Sequence, residues 1–127
     1  MVSSVTEGVR VSVVSSFLPR KSSPERRRYV FAYRITIANE SSRTVQLLRR
    51  HWMISDENGQ VTEVHGEGIV GEQPVLGPGA DYTYTSGAVL ETPTGTMEGH
   101  YEMQVPDGDL LRVAIPLFAL GRPTAVH

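Results

Sequence analysis

The 127-residue sequence contains no cysteine. That absence excludes disulfides, thiolate metal sites, thiol nucleophiles and iron–sulfur ligation together, and it suits a reducing compartment. Long hydrophobic runs are missing too: no stretch approaches the ~20 apolar residues of a membrane span. The start, Met1-Val2-Ser3-Ser4-Val5-Thr6-Glu7-Gly8, lacks the cationic head and apolar body of an export signal. The cytoplasm is the expected location, with no membrane partner. Charge of one sign is not in excess either. Twelve Lys and Arg against fourteen Asp and Glu leave a formal charge of −2, which gives no global attraction to nucleic acid or anionic lipid. The last absence is helical periodicity, for no window sustains apolar residues at spacings of three and four.

What is there is period two. Val9, Val11 and Val13 alternate with Arg10 and Ser12, and Phe31, Tyr33, Ile35 and Ile37 alternate with Ala32, Arg34 and Thr36. Tyr82 and Tyr84, then Met97, Gly99, Tyr101, Met103 and Val105, then Leu111, Val113 and Ile115 repeat the pattern. Residues on alternate sides of a strand face opposite ways, so these are half-buried strands. Turn chemistry separates them at Asn39-Glu40-Ser41-Ser42, Asp56-Glu57-Asn58-Gly59, Gly77-Pro78-Gly79 and Pro106-Asp107-Gly108. Pro78-Gly79 suits the central pair of a type II turn, where proline presets the first φ and glycine supplies the positive second one. Short strands at this spacing, with no helices between, predict one all-β domain folded as an antiparallel sandwich. Trp52 is expected in its core. Residues 18–27 read as a flexible basic loop and 121–127 as a tail.

Several segments carry a resemblance. Tyr29-Val30-Phe31-Ala32-Tyr33, Leu47-Leu48-Arg49-Arg50-His51-Trp52, the run from His65 to Leu76, Tyr84-Thr85-Ser86-Gly87 and Gly95-Thr96-Met97-Glu98-Gly99-His100-Tyr101 closely resemble the ApaG family along essentially the whole chain. The resemblance implies that residues 1–127 form a single ApaG domain with an immunoglobulin/fibronectin-III-like antiparallel β-sandwich fold. Such domains stand alone in bacteria and also occur attached to other modules, including an F-box protein and a polymerase-delta-interacting protein. The family is linked to cobalt and magnesium tolerance without a mechanism.

Gly66-Glu67-Gly68-Ile69-Val70-Gly71 fits the G-x-G-x-x-G template of dinucleotide sites, in which glycines let backbone N–H groups approach a pyrophosphate at a helix start. The context differs, because Pro74 and Pro78 leave no room for the following helix and Glu63, Glu67 and Glu72 repel phosphate. Gly66, Gly68 and Gly71 therefore read first as a place where backbone turns or packs closely, and second as a loop for a phosphate ligand or a protein partner.

The turn at Asp56-Glu57-Asn58-Gly59 also sets a register. Asp at the first position and Gly at the fourth mark a type I turn closed by a left-handed glycine. Counting back pairs Ile54 with Thr62, Met53 with Glu63, Trp52 with Val64, His51 with His65 and Arg49 with Glu67. One face then carries Trp52, Ile54 and Val64 to the core, and the other displays Arg49, His51, Glu63, His65 and Glu67. Directly opposite Cβ atoms lie ~4.5–5.5 Å apart, so His51 and His65, with Glu63 or Glu67 as a third donor, suit cobalt, nickel or zinc. Arg49 beside them works against a cation, and a solvated or partner-contacting face is the competing reading.

Arg20, Lys21, Arg26, Arg27 and Arg28 gather on one loop flanked only by Phe17 and Tyr29. Without stacking aromatics in the loop, a solubilising loop or an acidic protein contact fits better than nucleic acid. Ser86 at an expected strand end reads as a backbone-satisfying serine, and no other catalytic constellation survives its context. The function expected is a non-catalytic binding module mediating protein–protein interaction, with no resident cofactor. The alternative is a protein of divalent-cation homeostasis or of nucleotide or pyrophosphate binding. An exposed edge strand also offers a route to a weak homodimer.

Overall fold

The structure, a computed structural model, describes residues 1–121; all of the expected tail beyond Gly121 lies outside the described residues. The strands are β1 (Val2–Thr6), β2 (Val9–Phe17), β3 (Tyr29–Asn39), β4 (Val45–Asp56), β5 (Val61–Glu67), β6 (Val75–Leu76), β7 (Asp81–Leu90), β8 (Thr94–Gln104) and β9 (Leu110–Gly121). They form two sheets, β1-β2-β3-β7 and β5-β4-β8-β9, with β6 on β4. Every named strand pair is antiparallel. Among the described residues no helix is long and apolar enough to cross a membrane.

Alternation along each strand builds the core between the sheets. Val9, Val11, Val13, Phe31, Ile35 and Ile37 meet Leu47, Trp52, Met97, Tyr101, Met103, Val113 and Leu120 there, all buried. Each large apolar side chain so removed from water contributes ~1.5–3 kcal/mol before entropy is counted. Trp52 packs edge-on against Tyr33 and Phe118, with ring centroids 5.4 and 5.9 Å away. The turns follow their residues. Gly59 has φ +80° and donates to the Asp56 carbonyl, and Gly79 has φ +84° in a turn closed by Ala80 N–H on the Gly77 carbonyl.

Two irregularities shape the second sheet. In β4 the register against β8 shifts between Leu47 and Arg49, leaving Leu48 as an extra residue. Val45 and Leu47 are buried before this bulge and Trp52 after it, so the bulge exchanges inward and outward positions and turns Arg49 and His51 to the outside. In β9, Phe118 pairs with Met97 but Ile115 pairs with Gly99. Pro116, which has no N–H to offer the ladder, sits in this second bulge.

Two features were not anticipated. β1 pairs with β2 through a tight turn in which Glu7 and Gly8 both have positive φ, 50° and 80°, the arrangement that favours two-residue hairpins. The basic segment folds into two short 3₁₀ turns, Pro19–Lys21 and Pro24–Arg26. Ser22 secures them by donating to the Leu18 carbonyl and accepting from Val30 N–H, both at 2.8 Å. Its cationic side chains are exposed.

Candidate functional site

The register read from the Asp56 turn is the one present. Asp56 Oδ1 accepts N–H groups from Asn58 and Gln60 at 2.8 and 3.0 Å, which fixes the turn. From there Met53 faces Glu63, Trp52 faces Val64, His51 faces His65 and Arg49 faces Glu67. On its other side β4 pairs with β8, and His51 also faces His100. Three adjacent strands thus carry a row of imidazoles, His65, His51 and His100, across the outer face of the second sheet. The ring centroids lie 4.3 Å apart for His51 and His65 and 4.9 Å apart for His51 and His100.

His51, the middle ring, is walled in by its neighbours, its side chain only 19% exposed. Glu63 reaches both outer-hairpin imidazoles: its Oε2 lies 3.5 Å from His51 Nε2 and 3.3 Å from His65 Nε2. Hydrogen bonds from His51 first and His65 second hold the Glu63 carboxyl below the usual carboxylate range. His100 moves below the usual histidine range, chiefly through burial and then through the Arg112 guanidinium. Arg49 is ion-paired with Glu102 on β8, so its charge is compensated within the sheet. A depression of about 290 Å³, walled by Arg49, His51, His65, Glu67, His100 and Glu102, lies over this row. Glu67 stands at its rim and does not join the cluster around Glu63.

The glycine segment sits at the end of the same hairpin and is organised by Arg50. Arg50 occupies an inward position of β4, opposite Gly66. Its guanidinium fills the space of a side chain at 66, since a Cβ there would lie 2.6 Å from Arg50 Cζ. Arg50 Nη1 donates to the carbonyls of Glu67 and Gly68 at 3.2 and 2.8 Å. Gly68, at φ +62°, passes so near the next turn that a Cβ would lie 2.2 Å from the Glu72 carbonyl oxygen. Val70 and Gly71 then form a tight reversal, with Ile69 and Glu72 exchanging both backbone hydrogen bonds. The N–H groups of Gly68, Ile69 and Glu72 all donate to carbonyls of the chain. Gly66, Gly68 and Gly71 thus make a folded hairpin tip, and Gly71 alone leaves open space where a Cβ would be. Beside it a recess of about 250 Å³ is lined by Arg50, Trp52, Val70, Tyr84 and Ser86. Ser86 lies in mid-strand on β7, opposite Tyr33, and not at a strand end as its glycine neighbour suggested.

His100 is the member of the row that sequence reading passed over. The signal was available: Met97, Gly99, Tyr101 and Met103 mark one face of a strand, so Glu98, His100 and Glu102 must line the other. What was missing is the pairing of that strand with β4.

Fold and face together define an antiparallel β-sandwich with an open, polar, histidine-bearing sheet surface. A family model described as the ApaG domain matches residues 19–105, and the chain belongs to that family. It is 54% identical over 119 residues to Protein ApaG of Proteus mirabilis, covering 94% of this chain and 95% of that one. With Protein ApaG of Klebsiella pneumoniae it shares 55% over 119 residues, at the same coverage of both chains. A Bordetella pertussis protein solved by crystallography superposes with a TM-score of 0.89 at 43% identity, over 92% of this chain and 95% of that one.

Proposed function

We propose that this chain is a non-catalytic binding module that docks another protein on the outer face of β5, β4 and β8. The observation that supports this reading is the depression over the imidazole row, about 290 Å³ and open to solvent. It is at the lower limit of ~300 Å³ for pockets that enclose small ligands, yet its walls are mixed in charge and carry three imidazole rings. Arginine, present here as Arg49, is among the residues enriched where proteins meet. The glycine hairpin tip, whose N–H groups at 68, 69 and 72 are already engaged, offers a phosphate ligand little by comparison.

The test is site-specific photo-crosslinking in the cells that carry the protein. A crosslinking residue at Glu67 or Arg112, both exposed beside the row, is expected to give discrete adducts that Arg49→Glu removes. The same residue at Thr83, exposed on the opposite sheet, serves as the control. Identical adducts from both faces, or none from Glu67 and Arg112, would overturn the reading.

A further inference from the structure

We propose that His51, Glu63 and His65 form a three-ligand site for a divalent transition ion of borderline softness, such as zinc, cobalt or nickel. The site lies on the same face as the proposed docking surface but does not depend on a partner. One donor atom from each of the three residues lies within 4.8 Å of the other two. An ion bonded at ~2.0–2.1 Å with tetrahedral angles holds its ligand atoms about 3.3–3.4 Å apart. Glu63 Oε2 stands 3.3 Å from His65 Nε2 and 3.5 Å from His51 Nε2, so two of the three separations already match that requirement.

The sheet supplies the preorganisation. The Asp56 turn fixes the two histidines as direct cross-strand neighbours, and Glu63 precedes His65 by one outward position on the same strand. His51 is held from its far side by the His100 ring, 4.9 Å away, which limits the rotamers open to it. Two imidazole nitrogens and one carboxylate oxygen form a donor set that suits zinc, cobalt and nickel, whereas magnesium takes oxygen ligands and keeps its waters. Arg49, the arginine on the same outward face of β4 as His51, is paired with Glu102, so it does not confront the ion with an uncompensated charge. Glu63 and His65 have side chains 55% and 70% exposed, which leaves the fourth position open to water.

The test uses the full chain without an affinity tag and cobalt(II) as the probe, read by calorimetry and by the visible d–d absorption of the bound ion. One cobalt per chain is expected, displaced by zinc and not by excess magnesium. His65→Ala and Glu63→Gln each weaken binding at least tenfold. Both positions are exposed, so an unchanged circular dichroism spectrum separates lost ligation from lost folding. His127→Ala, which removes the histidine outside the described residues, leaves the isotherm unchanged. No uptake of cobalt or zinc by the wild type, unaltered affinity in both ligand variants, or loss of binding on His127→Ala would each overturn the site. A silent titration with the crosslinks from Glu67 and Arg112 intact removes the metal site alone. Retained cobalt binding without those crosslinks removes the docking reading alone.

Discussion

Tyr84 on β7 and Tyr101 on β8 join the two sheets through a hydrogen bond between their hydroxyls, 2.5 Å long. Burial pushes both phenols upward, Tyr84 well beyond the ordinary range of ~10. The folded values are raised, so the linked stability is complete below the unfolded tyrosine pKa. It is lost as pH climbs past it toward the folded values. Tyr84 and Tyr101 are therefore expected to ionise only as the protein unfolds in alkali. Phenolate absorbance followed beside far-ultraviolet circular dichroism checks this, and reversible titration of both within the native baseline would refute it. Tyr101→Phe removes one neutral hydrogen bond and costs ~1 kcal/mol.

Val70 is the strained residue of the hairpin tip. It is β-branched, 73% exposed and held at φ +50°, a conformation that such residues rarely adopt and that costs ~1–3 kcal/mol. Its neighbour Gly71 has φ +80°, so the pair has the positive φ values that Asn-Gly favours in tight hairpin turns. Val70→Asn is expected to raise stability by ~1 kcal/mol in urea denaturation. Gly68→Ala acts in the opposite sense and far more strongly, because its Cβ would meet the Glu72 carbonyl oxygen at 2.2 Å. Equal effects from Gly68→Ala and Gly71→Ala would contradict this account of the tip.

Arg50 holds that tip through two carbonyl oxygens and through the gap left at Gly66. Lysine brings a point charge that cannot spread over both carbonyls or fill a flat slot. Arg50→Lys should cost ~1–3 kcal/mol and speed amide exchange at Gly68, whose N–H donates to the Leu48 carbonyl. Exchange unchanged at Gly68 would mean that the backbone holds the tip without Arg50.

The difference between what was legible and what was not follows the range of the interactions. The pairing of His51 with His65 could be counted from Asp56 because a local side-chain hydrogen bond sets that turn. Trp52 was legible as core for the same reason. His100 was not, because its alignment with His51 depends on a long-range strand pair that carries a bulge at Leu48, and a second bulge at Pro116 shifts β9 in turn. The bulge at Leu48 has no local sequence signature, and Pro116 marks β9 as irregular without giving the register on either side of it. β1 escaped notice because Val2 and Val5 are three apart and both exposed, at 40% and 49%, so an edge strand had no period-two stripe to show. Arg50 was not singled out in the sequence, although the register counted from Asp56 sets it on the Trp52 side of the hairpin, opposite Gly66. What the register does not show is the guanidinium reaching back to the Glu67 and Gly68 carbonyls.

Asn39 gives the last prediction. It is 1% exposed, and its side chain satisfies groups of three residues, two in the β3–β4 loop and one on β6. Nδ2 donates to the carbonyls of Arg43 and Leu76 at 2.7 and 2.9 Å, and Oδ1 accepts from Ser41 N–H and Ser41 Oγ at 3.1 and 2.6 Å. Asn39→Ala leaves the two carbonyls without these donors and is expected to cost ~2–5 kcal/mol. Asn39→Asp keeps the acceptor but sets a carboxylate against two carbonyl oxygens. The folded protein then favours the protonated acid, so the carboxyl pKa is raised. The variant should be least stable at neutral pH and recover as pH falls through that raised value. Urea midpoints for Asn39→Asp at acidic and neutral pH, measured relative to wild type, check the sign. A deficit that grows on acidification would show that Asn39 acts mainly through its oxygen and not through its amide.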